Sequence, residues 1–387
     1  MRRTSSGRGW ALIDPIAPTR GWLAAVLRDE IVSTWPEIGQ GESLAVATAR
    51  LERVVCLTHQ RLHEGPNAGQ CPPALGAAFA LAARSAATRS LAQIRECRQI
   101  STLLADAGIP ALFVKGSALG QWLYRTPYLR ECADIDLLLQ SRADVEKAID
   151  VLLSVGYLVP ERTIPGDLIV YELACVSTNT GSSNFEIDLH WKLCNSSLLC
   201  DCLQWQELHA AAIPLPGMGA AAKGLSPVHA FLHVCLNRAL DQQQGNGNLL
   251  RCLHDLKLFA QQFDAGQWQS TLILAKARQV AGICADGLMV AQRDVGALVP
   301  PQVLEALLLA ARDEPLNVTR LQDWRYVQWA TLRALPTWQL RLRWVWQRLW
   351  PNPNHVREHF PRIEGYGMTG FHWRHLKRAF DRILRGR

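Results

Sequence analysis

The chain has 387 residues, of which 49% are apolar, so it is long enough for two or three domains with a sizeable core. No apolar run reaches the roughly twenty residues that span a bilayer, so no transmembrane segment is expected. The eleven cysteines include no C-x-x-C pair, which excludes zinc-ribbon spacing and favours reduced thiols in the cytoplasm over a disulfide framework.

The net charge of +7 is unevenly placed along the chain. Residues 317–387 contain fourteen Lys and Arg against four Asp and Glu, whereas the remainder contains 27 against 30. The basic character therefore belongs to the C-terminal region.

The first part of the chain, residues 1–108, is predicted to be a helical segment whose role is packing. Its apolar residues recur every three or four positions, and the last helix ends where Gly108 and Pro110 follow it. Residues 1–9 are basic and rich in Ser and Gly, and we expect a disordered start. The predicted helices cover residues 21–38, 42–64 and 73–107.

A strand and a helix are predicted on either side of a turn of small residues. The apolar run 111–114 is typical of a strand, and residues 118–124 are compatible with a helix. Between them lie Lys115, Gly116 and Ser117. Such a turn lets backbone N–H groups and a hydroxyl approach a phosphate, and Lys115 can add positive charge.

Two acids follow on the next predicted strand. Asp134 and Asp136 are two residues apart, so their side chains share one face of that strand. Nearby carboxylates repel one another unless a positive group lies between them. A divalent cation with oxygen ligands, Mg²⁺ or Mn²⁺, is the simplest interpretation.

A third acid lies in residues 184–191, which alternate polar and apolar side chains like a half-buried strand. Glu186, Asp188 and His190 would occupy one face of it. Asp188 is the preferred third metal ligand, and Glu186 is its alternative. His190 either orients a ligand or donates to phosphate, or is simply a satisfied strand histidine.

The remaining elements complete a mixed α+β pattern. Ser141 is a predicted N-cap for the helix 142–154, and the strand 168–176 is expected to form a hairpin with the strand that contains Asp188. From Ser226 the pattern is helical. Helices are predicted over residues 228–240, 249–263 and 267–280, with more up to residue 312.

The motifs LFVKGSALGQWLY, LRECADIDLLL and FEIDLHWKL resemble a bacterial group of uncharacterised nucleotidyltransferases. Their order also resembles the nucleotidyltransferase fold of the DNA polymerase beta superfamily. The resemblance implies a small nucleotidyltransferase-type sheet with flanking helices. The expected domains are 1–108 (helical), 109–215 (catalytic core), 216–315 (helical) and 316–387 (basic, rich in Trp and Arg).

The resemblance also implies roles for single residues. Gly116 and Ser117 would hold nucleotide phosphates, and Asp134, Asp136 and Asp188 would bind the catalytic metal. Arg130 is expected either to bind the triphosphate or to pair with Glu131 or an Asp. Asp255 matches an acid of the family and is expected either to face the cleft or to pack its helix.

The function that we expect is transfer of a nucleoside monophosphate from an NTP, with ATP the expected donor, to a hydroxyl or phosphate of an unknown acceptor. The reaction would use Mg²⁺ or Mn²⁺ in the cytoplasm. Two alternatives remain open at this point: a noncatalytic binding module that kept the fold, and an enzyme that modifies nucleic acid.

The basic C-terminal region has six tryptophans interleaved with arginines between Trp324 and Trp350. This composition suits a stacking surface for nucleic acid or a helix at a membrane interface. Five apolar residues also form one helical stripe, which we expect to pack against the core. These are Leu335, Trp338, Leu342, Val345 and Leu349. Residues 371–387 are a candidate basic amphipathic helix.

Overall fold

The computed structural model describes residues 16–37, 43–160, 168–177, 184–242 and 247–350. The predictions for residues 1–9 and 371–387 lie outside these ranges. The chain divides into two compact units, Met1–Ala87 and Thr88–Arg387. The four-domain division proposed above stays a prediction.

The first unit is helical, as predicted, but two of its predicted helices have different bounds. The predicted helix 42–64 is wrong as a single element, because Arg53 has a φ of 54° in the left-handed region and breaks it. The predicted helix 21–38 ends early, before Asp29, whose φ is 62°. The observed helices are α1 (Ile16–Leu27), α2 (Leu44–Leu51), α3 (Val55–Glu64) and the start of α4 (Pro73–Asp106).

The second unit is built on a mixed sheet. Its strands are β1 (Ala111–Val114), β2 (Asp134–Leu139), β3 (Glu172–Val176), β4 (Glu186–His190), β5 (Ile213–Pro214) and β6 (Lys223–Gly224). The described strands follow the order β3-β4-β2-β1-β6-β5. β2 runs parallel to β4, whereas β1 with β2 and β3 with β4 are antiparallel. The predicted hairpin of β3 and β4 is confirmed.

Helices surround this sheet, which confirms the predicted α+β class. Ser141 caps α6 as predicted, because its hydroxyl accepts a hydrogen bond of 3.2 Å from the Asp144 backbone N–H. The helices are α5 (Lys115–Trp122), α6 (Arg142–Ser154), α7 (Trp205–Ala210), α8 (Pro227–Gln242), α9 (Leu250–Gln262), α10 (Ala265–Ala277), α11 (Ala281–Val295), α12 (Pro301–Ala310), α13 (Trp324–Ala334) and α14 (Trp338–Leu349). Among the residues that the structure describes, every helix is too short or too polar to cross a bilayer.

The hydrophobic core lies against one face of the sheet. Ile135, Leu137 and Ile187 belong to it, and side chains of α4 and α6 such as Ile100 and Val145 pack with them. Because strand side chains alternate, the acidic residues of β2 and β4 point to the opposite face. The fold therefore supports the candidate site on a rigid, packed sheet.

The C-terminal helices do not pack as the sequence suggested. Leu335 is buried, but Trp338, Leu342 and Leu349 of the same predicted stripe are exposed. α14 instead buries Trp344, which lies on the other side of the helix. The predicted packing of this stripe against the core is therefore wrong.

Candidate active site

The site is centred on the parallel pair β2 and β4, where Asp136 lies directly opposite Asp188. One oxygen from each of these carboxylates and one ring nitrogen of His190 all lie within 4.8 Å of one another. Adjacent strands are roughly 4.8 Å apart, whereas residues two apart on one strand are roughly 6.6 Å apart. Asp136 of β2 thus meets Asp188 and His190 of the neighbouring strand β4, and the three groups could hold a metal ion.

Asp134 is not a member of this group of three. It begins β2, opposite Glu186 on β4, and its side chain is only partly buried. Glu186 is exposed. The metal roles proposed for Asp134 and Glu186 stay predictions, whereas His190, given above only as an alternative, lies in the cluster itself.

The carboxylate of Asp136 is buried, with only 2% of the residue exposed. Its Oδ1 atom forms an ion pair with Lys115 Nζ and lies 3.0 Å from His190 Nε2. Burial alone would raise the pKa of Asp136, but the Lys115 charge and the His190 hydrogen bond hold that pKa well below its usual range. Asp136 is therefore ionised over the physiological pH range, as a metal ligand must be.

Lys115 was predicted to contact phosphate, and the structure places it on the acid cluster. Burial alone would lower the pKa of its ammonium group, but the charge of Asp136 raises that pKa above its ordinary value. Lys115 therefore supplies the positive charge that the carboxylates require. Its contact with phosphate stays a prediction.

Glu172 near the cluster was missed by the sequence reasoning, whereas His233 is one of two histidines, with His229, that lie four residues apart on one face of a predicted helix. Glu172 lies opposite His190 in the antiparallel hairpin, and its Oε2 is 3.2 Å from His190 Nδ1, without the alignment of a hydrogen bond. The register of the predicted hairpin could have found it. His233 of α8 is buried, and burial together with the nearby Lys115 charge lowers its pKa to about 3.

The small-residue turn is the first turn of α5 rather than a separate loop, which corrects the predicted helix start at residue 118. A Cβ atom on Gly116 would overlap Cys132 Sγ and lie 2.9 Å from Arg130 Nη1, so the chain requires glycine there. Within the described residues, the Ser117 hydroxyl is buried and makes no hydrogen bond. An unpaired buried hydroxyl costs about 1–3 kcal/mol and calls for a ligand or another explanation.

Arg130 pairs with a distant acid, which is one of its two predicted roles. Its Nε and Nη2 atoms donate to the two carboxylate oxygens of Asp255 at 2.7 Å each. Tyr124 Oη donates to Asp255 Oδ1 at 2.6 Å. Nη1 donates to the Glu131 carbonyl at 3.0 Å. This buried pair joins the segment after α5 to α9, while a role for either residue in nucleotide binding stays a prediction.

The model of one protein family, described as uncharacterised nucleotidyltransferase, matches residues 40–312, which is more than half of the chain. The chain belongs to this family. No curated protein matches it. Membership in a nucleotidyltransferase family supports a transferase that uses an NTP substrate.

The residues of the cluster fit a divalent cation. Asp136 and Asp188 offer oxygen ligands and His190 offers an imidazole nitrogen. This donor set is accepted by Mn²⁺ and, with water completing the shell, by Mg²⁺. The ionised state of Asp136 agrees with such a role.

Proposed function

We propose that the protein transfers a nucleoside monophosphate from an NTP, with ATP the expected donor, to a hydroxyl or phosphate group of an acceptor. The observation that carries the proposal is the Asp136, Asp188 and His190 cluster, which is joined to the start of α5 through Lys115. The order of the motifs supports a site of the DNA polymerase beta kind.

In this proposal Asp136, Asp188 and His190 hold a divalent cation, Mg²⁺ or Mn²⁺, and Asp134 adds a ligand when the nucleotide is present. A cation bound there would neutralise phosphate charge and lower the pKa of the acceptor hydroxyl. His190 is held in place by Asp136 on one side and lies near Glu172 on the other. Such outer contacts fix the orientation of a ligating imidazole.

The start of α5 would bind the triphosphate. Gly116 brings the backbone N–H groups close to the phosphates, and the buried Ser117 hydroxyl gains the hydrogen-bond acceptor that it lacks. Lys115 would exchange its Asp136 partner for a phosphate oxygen. All three changes bind or neutralise the triphosphate, which is most of the catalytic task in phosphoryl transfer.

The reaction itself is an in-line displacement. An acceptor oxygen forms a bond to the α-phosphorus, the bond from that phosphorus to the bridging oxygen breaks, and pyrophosphate leaves. The acceptor proton passes to solvent or to Asp188, the partly buried carboxylate of the cluster.

The test is transfer of a labelled α-phosphate from each NTP to components of a cell extract, in the presence of Mg²⁺ or Mn²⁺. We expect label transfer by the wild type and its loss in Asp136→Asn and in Asp188→Asn. Asp150→Asn, which changes an exposed acid on α6, is the matched control and should transfer label normally. Equal transfer by Asp188→Asn and the control would overturn the proposal.

A further inference from the structure

Helix α14 exposes a continuous apolar surface, which we name the tryptophan stripe. It consists of Trp338, Leu342, Trp346, Leu349 and Trp350. Their spacing of three or four residues places them on one side of the helix. All five are exposed, including Trp338 at 65% and Trp346 at 62%. Since Trp344 on the other side is buried, α14 attaches to the protein by one side and presents the stripe to solvent. Exposed apolar patches of this kind mark binding surfaces.

The stripe lies in a strongly basic setting. Residues 324–350 contain five arginines and no acidic residue. At about 100° per residue, Arg343 borders one edge of the stripe, and Arg341 and Arg348 border the other. An apolar stripe with tryptophans, flanked by arginines on both sides, is typical of a helix that lies in the interface of an anionic membrane.

The geometry of the rings disfavours nucleic acid as the partner. The rings of Trp346 and Trp350 stack on each other with centroids 5.6 Å apart, and Arg333 lies 4.6 Å from the centroid of the Trp329 ring. Base stacking requires open ring faces, and one face of each of these three rings is already occupied by a neighbouring side chain. Leu342 and Leu349 would add nothing to base stacking, whereas they add apolar area that a bilayer can bury.

We propose that the tryptophan stripe binds the surface of membranes that contain acidic phospholipids, with α14 lying parallel to the membrane plane. The stripe enters the boundary between head groups and acyl chains, and the flanking arginines contact lipid phosphates. This binding is peripheral and independent of the proposed nucleotide transfer.

The experiment is flotation of the full chain with phosphatidylcholine vesicles, prepared with and without phosphatidylglycerol. We expect the wild type to float with the phosphatidylglycerol vesicles and to be released as salt increases. Trp338→Ala/Trp346→Ala should weaken this binding at least tenfold. Leu298→Ala/Leu309→Ala changes two equally exposed apolar residues elsewhere, at 76% and 60%, and should float like the wild type.

Three results would overturn the proposal. The first is absence of flotation by the wild type, and the second is equal flotation of the tryptophan variant and the control variant. The third is binding of a labelled single-stranded oligonucleotide that depends on Trp338 and Trp346 while vesicles are not bound. Because both tryptophans are exposed, the far-UV circular dichroism and melting temperature of the variant should match those of the wild type, and this check separates lost binding from lost folding.

Discussion

Removal of the Asp255 carboxylate should strongly destabilise the second unit. Asp255 is 1% exposed and Arg130 is 6% exposed, so neither charge has access to water as an alternative partner. Three short hydrogen bonds converge on this carboxylate, two from Arg130 and one from Tyr124. Breaking a buried pair by removing one partner typically costs about 3–5 kcal/mol, because the other charge remains buried and uncompensated. We expect Asp255→Asn to lower the free energy of unfolding by an amount in that range.

Two further variants apportion this loss. Tyr124→Phe removes one hydrogen bond to a charged group and should cost about 1.5 kcal/mol. Arg130→Met/Asp255→Leu removes both charges. Its loss should be smaller than the sum of the losses measured for Arg130→Met alone and Asp255→Leu alone, with a coupling energy of about 2 kcal/mol or more. Such a result would show that most of the lost stability comes from leaving one buried charge unpaired, rather than from losing the attraction between the two charges.

The assay is urea unfolding of the full chain followed by circular dichroism, with the midpoint and slope fitted for each variant. The exposed pair of Arg142 and Glu146, whose side chains are 63% and 55% exposed, provides the control. Glu146→Gln should change the free energy of unfolding by less than about 0.5 kcal/mol. If Asp255→Asn unfolds at the same urea concentration as Glu146→Gln, the reasoning about this buried pair is refuted.

Three other predictions concern single residues around the site. Gly116→Ala should lower the free energy of unfolding by about 1–3 kcal/mol in urea titrations, because its new Cβ overlaps Cys132. The control Gly21→Ala, with nothing within 4 Å of the new Cβ, should be neutral or stabilise by up to about 1 kcal/mol. Equal effects of the two substitutions would contradict the close approach of Cys132 to Gly116. Ser117→Ala removes an unpaired buried hydroxyl, so the melting temperature should be unchanged or higher. The same substitution should weaken NTP binding, measured by calorimetry, about tenfold. A lower melting temperature with unchanged NTP binding would argue for a structural hydroxyl. Burial lowers the pKa of His233 to about 3 in the folded protein, against 6.5 in the unfolded chain. Between about pH 6.5 and pH 3 only the unfolded chain takes up the proton. The free energy of unfolding therefore falls as the pH falls, by at most about 1.4 kcal/mol per pH unit. His233→Asn should flatten that decline by about 1 kcal/mol per pH unit when urea unfolding is compared near pH 6 and pH 5, and an unchanged slope would exclude the buried neutral histidine.

The sequence was sufficient to predict the structure where the deciding contacts lie within a few residues of one another. The alternation of residues 184–191 predicted β4 and the shared face of Asp188 and His190, because side chains two apart in a strand point the same way. The N-cap at Ser141 was equally local, since a cap and the N–H group that it binds lie three residues apart.

Contacts across strands and between distant segments could not be read from the sequence. The pairing of Asp136 with Asp188 depends on the register of β2 against β4. The partner of Arg130 lies 125 residues away, and no spacing rule links it to Asp255. The turn at Arg53 also has no sequence signal, because a left-handed arginine is uncommon and is imposed by its surroundings.

The exposed apolar side of α14 shows a second reason why the sequence alone did not predict the packing. The apolar period of its residues correctly indicated a helix, but a stripe of this kind predicts burial only when the rest of the protein offers a surface to cover it. Trp344, outside the predicted stripe, takes that place, while Trp338 remains exposed. Periodicity therefore predicted the element and not the partner of its apolar face.

The most direct test of the site is Mn²⁺ binding by the isolated protein, followed through loss of the free-ion signal in electron paramagnetic resonance. The wild type and the exposed-acid control Asp150→Asn should bind Mn²⁺ alike. Asp188→Asn and His190→Ala should each weaken binding at least about tenfold, or 1.4 kcal/mol, because each removes one of three neighbouring ligands. Equal Mn²⁺ affinity in Asp188→Asn and in the wild type would contradict a cation site between β2 and β4.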